Sequence, residues 1–171
     1  IEISKLAVKD LNKKRDIELD NNLLTDDPFK LINDPSIDVI VEVMGGVDLA
    51  KDIILQSLKL GKSVVTANKA VIARYGEEIY KTASKEGVYI LSEAAVCGGI
   101  PIIEPLKRSL KSNSIKKMVG IINGTTNFIL SKMANEKADY KETLKLAQSL
   151  GYAEFDPTAD VEGHDAADKI S

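Results

Sequence analysis

The sequence predicts an α/β protein, in which an incomplete doubly wound parallel sheet is followed by an incomplete α+β domain. Between residues 37 and 91, β-branched apolar segments alternate with amphipathic helical segments, which is typical of a doubly wound sheet. At Glu93 this alternation gives way to a stretch rich in glycine and containing a proline. Such a change in composition indicates a domain boundary, so we divide the chain into 1–93 and 94–171.

The first domain is predicted from runs of apolar and β-branched residues, which indicate strands, and from apolar stripes that end at glycines, which indicate helices. The strands are expected at 1–8, 37–44, 63–66 and 88–91, and the helices at 48–60 and 76–85. The run at 37–44 is apolar enough to be a buried parallel strand. Parallel sheets bind ligands at the carboxyl ends of their strands. Gly45-Gly46 and Asn68-Lys69 follow two of these strands and are therefore candidate binding positions.

The second domain is predicted to contain three longer helices and one strand. The first helix has an apolar stripe along 102–110, the strand covers 116–122, and the polar turn 123–127 caps a helix that begins near Phe128. Asp139 and Glu142 resemble a capping box at the start of a helix that runs to residue 150.

Composition excludes several classes of function. The net charge is −3, which gives no reason to expect a nucleic-acid or anionic membrane partner. No apolar run approaches the ~20 residues of a membrane helix. Cys97 is the single cysteine, which fits a reducing compartment, so we expect a cytoplasmic protein. The chain begins with Ile1 and stops within a helical segment, so we expect a piece of a longer protein.

The segment 151–169 is the most unusual part of the sequence. It holds six acidic residues, namely Glu154, Asp156, Asp160, Glu162, Asp165 and Asp168, against one cation, Lys169. Asp165 and Lys169 are four apart and share a helix face, where a plain surface ion pair would contribute a few tenths of a kcal/mol. So many acids repel one another unless a cation lies among them. A positioned lysine or a substrate with its own ammonium group would relieve that repulsion.

Simpler structural interpretations remain open for the other candidates. Gly45-Gly46 alone is typical of a tight turn, and Lys69 alone is typical of a solvated surface charge. Glu93, at the start of the glycine-rich stretch, fits either a hard cation site or ordinary loop chemistry. His164 and Cys97 receive no catalytic role. The phosphate-binding pattern G-x-G-x-x-G is absent from these residues.

Four motifs together resemble the homoserine dehydrogenase family. They are VTANK at 65–69, EAAVCGGIP at 93–101, NGTTNFIL at 123–130 and the acidic segment at 151–169. The resemblance covers nearly the whole chain from residue 37 onward. It implies a Rossmann-type cofactor domain and an oxidoreductase that uses NAD or NADP to interconvert homoserine and aspartate semialdehyde.

The resemblance also implies roles for individual residues in substrate binding and catalysis. Lys169 matches the proposed proton donor, and Glu154 matches the residue that binds the amino group of the substrate. Asp160 and Asp165 match residues that line the same pocket. The resemblance also implies a homodimer whose substrate is a small molecule, homoserine or aspartate semialdehyde.

The resemblance further implies which residues contact the cofactor and which bind a metal ion. Gly45 matches a glycine that approaches the cofactor, and Lys69 matches a catalytic lysine that lies between cofactor and substrate. A sodium site is expected from Glu93 together with the backbone carbonyls of Val96, Gly98 and Ile100.

Two departures from the family pattern limit these implications. Phe155 stands where the family has a proline, which puts the rigidity of that loop in question. Because the dinucleotide fingerprint is missing, these residues alone are expected to bind cofactor poorly and to be inactive. Two alternatives stay open: a non-catalytic dimerisation module, and a dehydrogenase for a related small amino acid. The sequence does not choose between NAD and NADP, although Lys9 and Arg15 would favour a 2′-phosphate.

Overall fold

A computed structural model describes residues 1–171, which form two compact units, Ile1–Gly99 and Ile100–Ser171. The strands of the first unit are β1 (Leu6–Ala7), β2 (Leu24–Thr25), β3 (Val39–Glu42), β4 (Ser63–Thr66) and β5 (Ile90–Leu91). Its helices are α1 (Pro28–Ile32), α2 (Asp48–Lys59) and α3 (Lys69–Glu86), with 3₁₀ turns at Asn21–Leu23 and Glu93–Ala95. None of the helices combines the length and apolarity that crossing a bilayer requires.

The main sheet of the first unit is parallel, with the strand order β3-β4-β5, which confirms the predicted α/β class. Alternate residues of the strands, Ile40, Val64 and Ile90, are buried against α2 and α3. These helices contribute buried residues at helical spacing, including Ile54 and Leu58 of α2. The core of the unit therefore lies between the sheet and these two helices.

The opposite face of the sheet is exposed. Val39, Val41 and Val43 alternate with the buried residues of β3 and all three are accessible to solvent. The expectation that 37–44 is a fully buried strand is therefore wrong for these residues. Both faces of a parallel sheet are normally covered, and α2 and α3 cover only one.

Helix α3 begins seven residues before the predicted start at residue 76. The Asn68 side chain accepts a hydrogen bond from the backbone N–H of Val71 at 3.2 Å, so Asn68 is the N-cap and Lys69 is the first helical residue. The predicted end is confirmed, because Gly87 closes the helix in the left-handed conformation. Lys69 thus lies on the rigid first turn of a helix.

The predicted strand at 1–8 is reduced to Leu6–Ala7. These residues pair in parallel with β2, a strand that the sequence analysis did not predict. Ile1 and Ile3 are exposed and lie outside the strand. An alternating pattern forms a strand only where a neighbouring strand accepts its hydrogen bonds, and β2 is two residues long.

The second unit is helical. Its elements are a π-helical turn at Pro105–Ser109 and helices α4 (Gly124–Glu136), α5 (Tyr140–Ser149), α6 (Thr158–Val161) and α7 (His164–Ile170). Its core consists of Ile129, Ala147 and Ala153, against which Phe128 and Leu144 pack.

The caps of α4 and α5 follow the predicted chemistry. Asp139 caps α5 as predicted, accepting hydrogen bonds from the N–H groups of Lys141 and Glu142. Asn123 caps α4, and the helix begins at Gly124 rather than near Phe128. The polar turn predicted at 123–127 is therefore mostly the first turn of the helix itself.

One prediction in the second unit is confirmed in part and another is wrong. The helix expected over 102–110 is present as the π-helical turn Pro105–Ser109, in which the N–H of Leu110 donates to the carbonyl of Pro105. Pro105 is the first residue of this turn, where its missing N–H is tolerated. The strand expected over 116–122 is absent, and Val119 and Ile121 are exposed. No neighbouring strand is present to pair with it.

Candidate functional site

The acidic segment and the turn before α4 meet at Asn123. This residue is only 9% exposed. Its amide nitrogen Nδ2 lies 2.8 Å from Asp160 Oδ1 and 2.8 Å from Asp165 Oδ2. Asp160 belongs to α6 and Asp165 to the first turn of α7. One neutral amide therefore bridges two carboxylates that approach it from two different helices.

Lys169 completes this cluster from the last turn of α7. Its ammonium nitrogen lies 2.6 Å from Asp165 Oδ2 and 2.6 Å from the carbonyl oxygen of Ile122. The side chains of Lys169 and Asp165 are 17% and 7% exposed. The interpretation as a plain surface ion pair is therefore wrong. We call Asn123, Asp160, Asp165 and Lys169 the amide-carboxylate cluster.

Glu154 lies outside the amide-carboxylate cluster and is exposed. Its backbone carbonyl and that of Phe155 each accept a hydrogen bond of 3.1 Å from Nε2 of Gln148. The ring of Phe155 is exposed. Gln148 of α5 therefore restrains two consecutive peptide groups of the loop. In the family pattern, a proline at the position of Phe155 would restrict the backbone instead.

The neighbouring Asp156 has a local structural role. Its carboxylate accepts hydrogen bonds from the hydroxyl and the backbone N–H of Thr158. These bonds, chiefly the one from the hydroxyl, lower the pKa of Asp156 below its ordinary value. The carboxylate therefore stabilises the turn that leads into α6.

In the first unit, Asn68 joins two strand ends. Its Nδ2 donates to the carbonyl of Gly46 at 2.8 Å, and its backbone N–H donates to the hydroxyl of Thr66 at 3.0 Å. The loop after β3 is therefore held against the first turn of α3, where Lys69 lies half-buried.

The loop after β3 is open to a ligand at Gly45. A Cβ atom at Gly45 would meet no atom within 4 Å, and Gly46 has the φ of +83° that favours glycine. Helix α2 follows directly and has no side-chain cap at its N-cap residue Val47, so its first N–H groups are available as donors. An exposed glycine turn with nearby backbone donors, at the carboxyl end of a parallel strand, fits part of a dinucleotide.

The predicted sodium ligands lie in and after the 3₁₀ turn Glu93–Ala95. The N–H of Val96 donates to the carbonyl of Glu93 at 3.4 Å, and Cys97 and Gly99 adopt positive φ. Glu93, Val96 and Gly98 belong to the first unit, whereas Ile100 is the first residue of the second. No group of three His, Cys, Asp or Glu side chains is arranged to hold a metal ion. The sodium site, which depends on backbone carbonyls, stays a prediction.

Comparison with known proteins identifies the family. A family model described as "Homoserine dehydrogenase, NAD binding domain" matches residues 1–93, and one described as "Homoserine dehydrogenase" matches residues 101–171. The chain belongs to the homoserine dehydrogenase family. It is 56% identical over all 171 residues to a homoserine dehydrogenase of Synechocystis, and it spans 40% of the length of that relative.

Solved homoserine dehydrogenase structures resemble the chain as well. The enzyme from Thiobacillus denitrificans matches with a TM-score of 0.82 at 52% identity, over 86% of this chain and 34% of that one. A hyperthermophilic archaeal homoserine dehydrogenase in complex with NADPH matches with a TM-score of 0.77 at 34% identity, over 84% of this chain and 44% of that one.

Two features of this chain were missed by sequence reasoning. Asn123 was interpreted only as part of a capping turn, although its side chain also binds two carboxylates. Glu42 was interpreted as part of an apolar strand. It is 3% exposed and accepts hydrogen bonds from the Thr66 hydroxyl and from the N–H of Met44, just before Gly45. A carboxylate inside an apolar strand was the available signal.

Proposed function

We propose that this chain is part of an NAD(P)-dependent oxidoreductase that interconverts homoserine and aspartate semialdehyde. The observation that supports this most is the amide-carboxylate cluster, which holds the Lys169 ammonium at a fixed and largely buried point. Membership of the family and the NADPH complex of the archaeal relative support the same activity.

Lys169 is proposed to donate a proton to the aldehyde oxygen during reduction and to accept it during oxidation. An ammonium group has three N–H donors. Two are directed to Asp165 and to the carbonyl of Ile122, which leaves one for the oxygen of the substrate. A donor fixed in this way can stabilise negative charge as it develops on that oxygen.

Glu154, Asp160 and Asp165 are proposed to bind the substrate, with Glu154 as the partner of its α-ammonium group. Asn123 occupies one oxygen of Asp160, and a carboxylate offers further acceptor positions on both oxygens. The exposure of Glu154 leaves its carboxylate accessible to an incoming cation.

Gly45 and Lys69 are proposed to contact the cofactor, Lys69 also with a catalytic role. The nicotinamide supplies or accepts the hydride when it is bound. Asn68 holds the turn that contains Gly46 and also caps the helix that begins at Lys69, so one side chain positions both candidates.

Glu93 and the carbonyls of Val96, Gly98 and Ile100 are proposed to bind sodium, because all four donors are hard oxygens. Replacing sodium by the bulky choline cation should lower the melting temperature of the wild-type enzyme. The Glu93→Gln variant should show a much smaller difference between the two salts. Equal differences in both proteins would contradict the site.

We also propose that the enzyme is a cytoplasmic homodimer. The exposed apolar run that includes Met118, Val119 and Ile121 supports an interface with a second copy. The free Cys97 supports a reducing compartment.

The activity is tested in the full-length enzyme, with the chain continued to the length of its relatives. Formation of reduced nicotinamide is followed with homoserine, and with aspartate as the comparison substrate. Lys169→Ala should reduce turnover far more than substrate binding, whereas Lys145→Ala, at an exposed position on α5, should leave both unchanged. Activity on aspartate but not homoserine would indicate a different amino-acid dehydrogenase. Absence of activity with intact dimers would indicate a non-catalytic module.

A further inference from the structure

We infer that Asn123 is a positioning residue of the proposed site, which fixes the carboxylates of Asp160 and Asp165 and, through Asp165, the ammonium of Lys169. This inference rests on the proposed function. It deepens that function by assigning a role to a residue that does not itself act on the substrate.

The orientation of the Asn123 amide is determined by its contacts. Its Oδ1 accepts hydrogen bonds of 2.8 Å from both the backbone N–H and the hydroxyl of Thr126. Its Nδ2 donates to Asp160 and Asp165. All four hydrogen-bonding positions of the amide are therefore occupied. A flipped amide would turn its oxygen toward two carboxylates and its nitrogen toward two donors, so the flip is excluded.

The amide also satisfies a requirement of charge. A cation at position 123 would compete with Lys169 for Asp165, and an anion would repel both carboxylates. Asparagine is neutral, supplies two donors to the acids and keeps an oxygen for the cap of α4. Asp160 is bonded to this amide, so the Lys169 ammonium has Asp165 as its one carboxylate partner among the bonds of the amide-carboxylate cluster.

Removal of the amide donor should make Asp165 easier to protonate. Hydrogen bonds to the charged form of a carboxyl group lower its pKa, so loss of the bond from Asn123 should raise the pKa of Asp165. The charged groups bonded to one another or to the amide at this point include Asp160, Asp165 and Lys169. The acidic limb of the pH profile of kcat/KM should therefore move to higher pH.

Two substitutions separate this role from helix capping. Asn123→Ser and Asn123→Asp both keep an N-capping oxygen. The serine variant loses the amide donors, and the aspartate variant also adds a negative charge. The same changes at Asn127, exposed one turn further along α4, serve as controls. In the full-length enzyme we expect kcat/KM for homoserine to fall about tenfold to a hundredfold for Asn123→Ser and further for Asn123→Asp. We expect the melting temperature to fall below that of the Asn127 variants, more for Asn123→Asp than for Asn123→Ser, so the acidic limb and the Asp165 titration must identify the positioning role.

Carboxyl-carbon NMR titration of Asp165 in the full-length wild type and Asn123→Ser provides a readout that does not depend on activity. A higher pKa of Asp165 in the variant, together with the shifted acidic limb, supports the inference. An unchanged Asp165 titration would overturn it, even if the wild type oxidises homoserine. Activity that falls only with the melting temperature, with the acidic limb unmoved, would make Asn123 a helix cap alone and would also overturn it. If the wild type does not act on homoserine, the proposed function fails, and the titration still decides whether Asn123 controls Asp165.

Discussion

Replacement of Lys169 by arginine separates the charge of this residue from its capacity to transfer a proton. In the structure the ammonium pairs with Asp165 at 2.6 Å and also bonds the carbonyl of Ile122. A guanidinium group keeps a positive charge that can bind both acceptors. Its pKa lies far above the pH of any assay, so it does not release its proton in a protein. Lys169→Met removes both the charge and the proton.

The expected magnitudes follow from the burial of the pair. Exposed ion pairs contribute less than about 1 kcal/mol, whereas breaking a fully buried pair costs roughly 3–5 kcal/mol. With side chains 17% and 7% exposed, the Lys169–Asp165 pair lies nearer the buried case. We therefore expect Lys169→Met to lose about 3 kcal/mol of stability, and Lys169→Arg to lose about 1 kcal/mol or less. General acid catalysis accelerates a reaction about 10²–10⁴-fold, so turnover should fall by at least about a hundredfold in both variants.

The measurements are steady-state kinetics with homoserine and thermal unfolding of the same full-length preparations. The reasoning predicts that Lys169→Arg regains most of the stability lost in Lys169→Met without regaining turnover. Turnover of Lys169→Arg within a few-fold of the wild type would refute proton transfer by Lys169. In that case its positive charge alone would account for its role.

Three further predictions concern the core, an acidic turn and the dimer. Ile54→Ala should lower the free energy of unfolding by roughly 2–5 kcal/mol, measured by urea denaturation, because Ile54 is completely buried in the core. Thr158→Ala should raise the pKa of Asp156 toward its ordinary value of 3.8, which carboxyl NMR can measure. Because the pKa of Asp156 is lower in the folded chain than in the unfolded chain, its carboxylate stabilises the fold at pH values above 3.8. This stabilisation is lost as the pH falls through the folded pKa. Thr158→Ala should therefore lose less stability between neutral and acidic pH than the wild type. Val119→Lys should convert dimers to monomers in light scattering, since Val119 is 84% exposed in the single chain; an unchanged dimer would place Val119 outside the interface.

Much of the first unit could be predicted because its signals are local. The glycines that end helices and the β-branched runs of β3 and β4 each act within a few residues. The failures occurred where pairing between distant segments decides the structure. The runs at 1–8 and 116–122 have strand-like composition, but a strand requires a hydrogen-bonding neighbour that composition does not reveal. The early start of α3 was missed because Asn68 was interpreted as loop rather than as a cap.

The sequence allowed us to predict the charged residues of the candidate site, but not the neutral residue that hydrogen-bonds them together. Asp165 and Lys169 are four residues apart, so helical geometry alone brings them together. Asn123 lies 37 residues from Asp160 and 42 from Asp165 in sequence. Glu42 and Thr66 are likewise 24 residues apart. No spacing rule links such residues, and only the folded chain shows that a cap and a strand residue also position polar groups.

Only one of the two carboxylates that Asn123 binds also binds Lys169, and this bears directly on the proposed role of the lysine. A proton donor must be held firmly and must still be able to release its proton. A second carboxylate on the ammonium would strengthen the hold but would also occupy the N–H that the substrate needs. The chain instead bonds Asp160 to the neutral amide and leaves the ammonium with one carboxylate and one carbonyl. The carboxylate of Asp165 and the carbonyl of Ile122 thus fix the geometry of the lysine, and its third N–H stays available for the oxygen of the substrate.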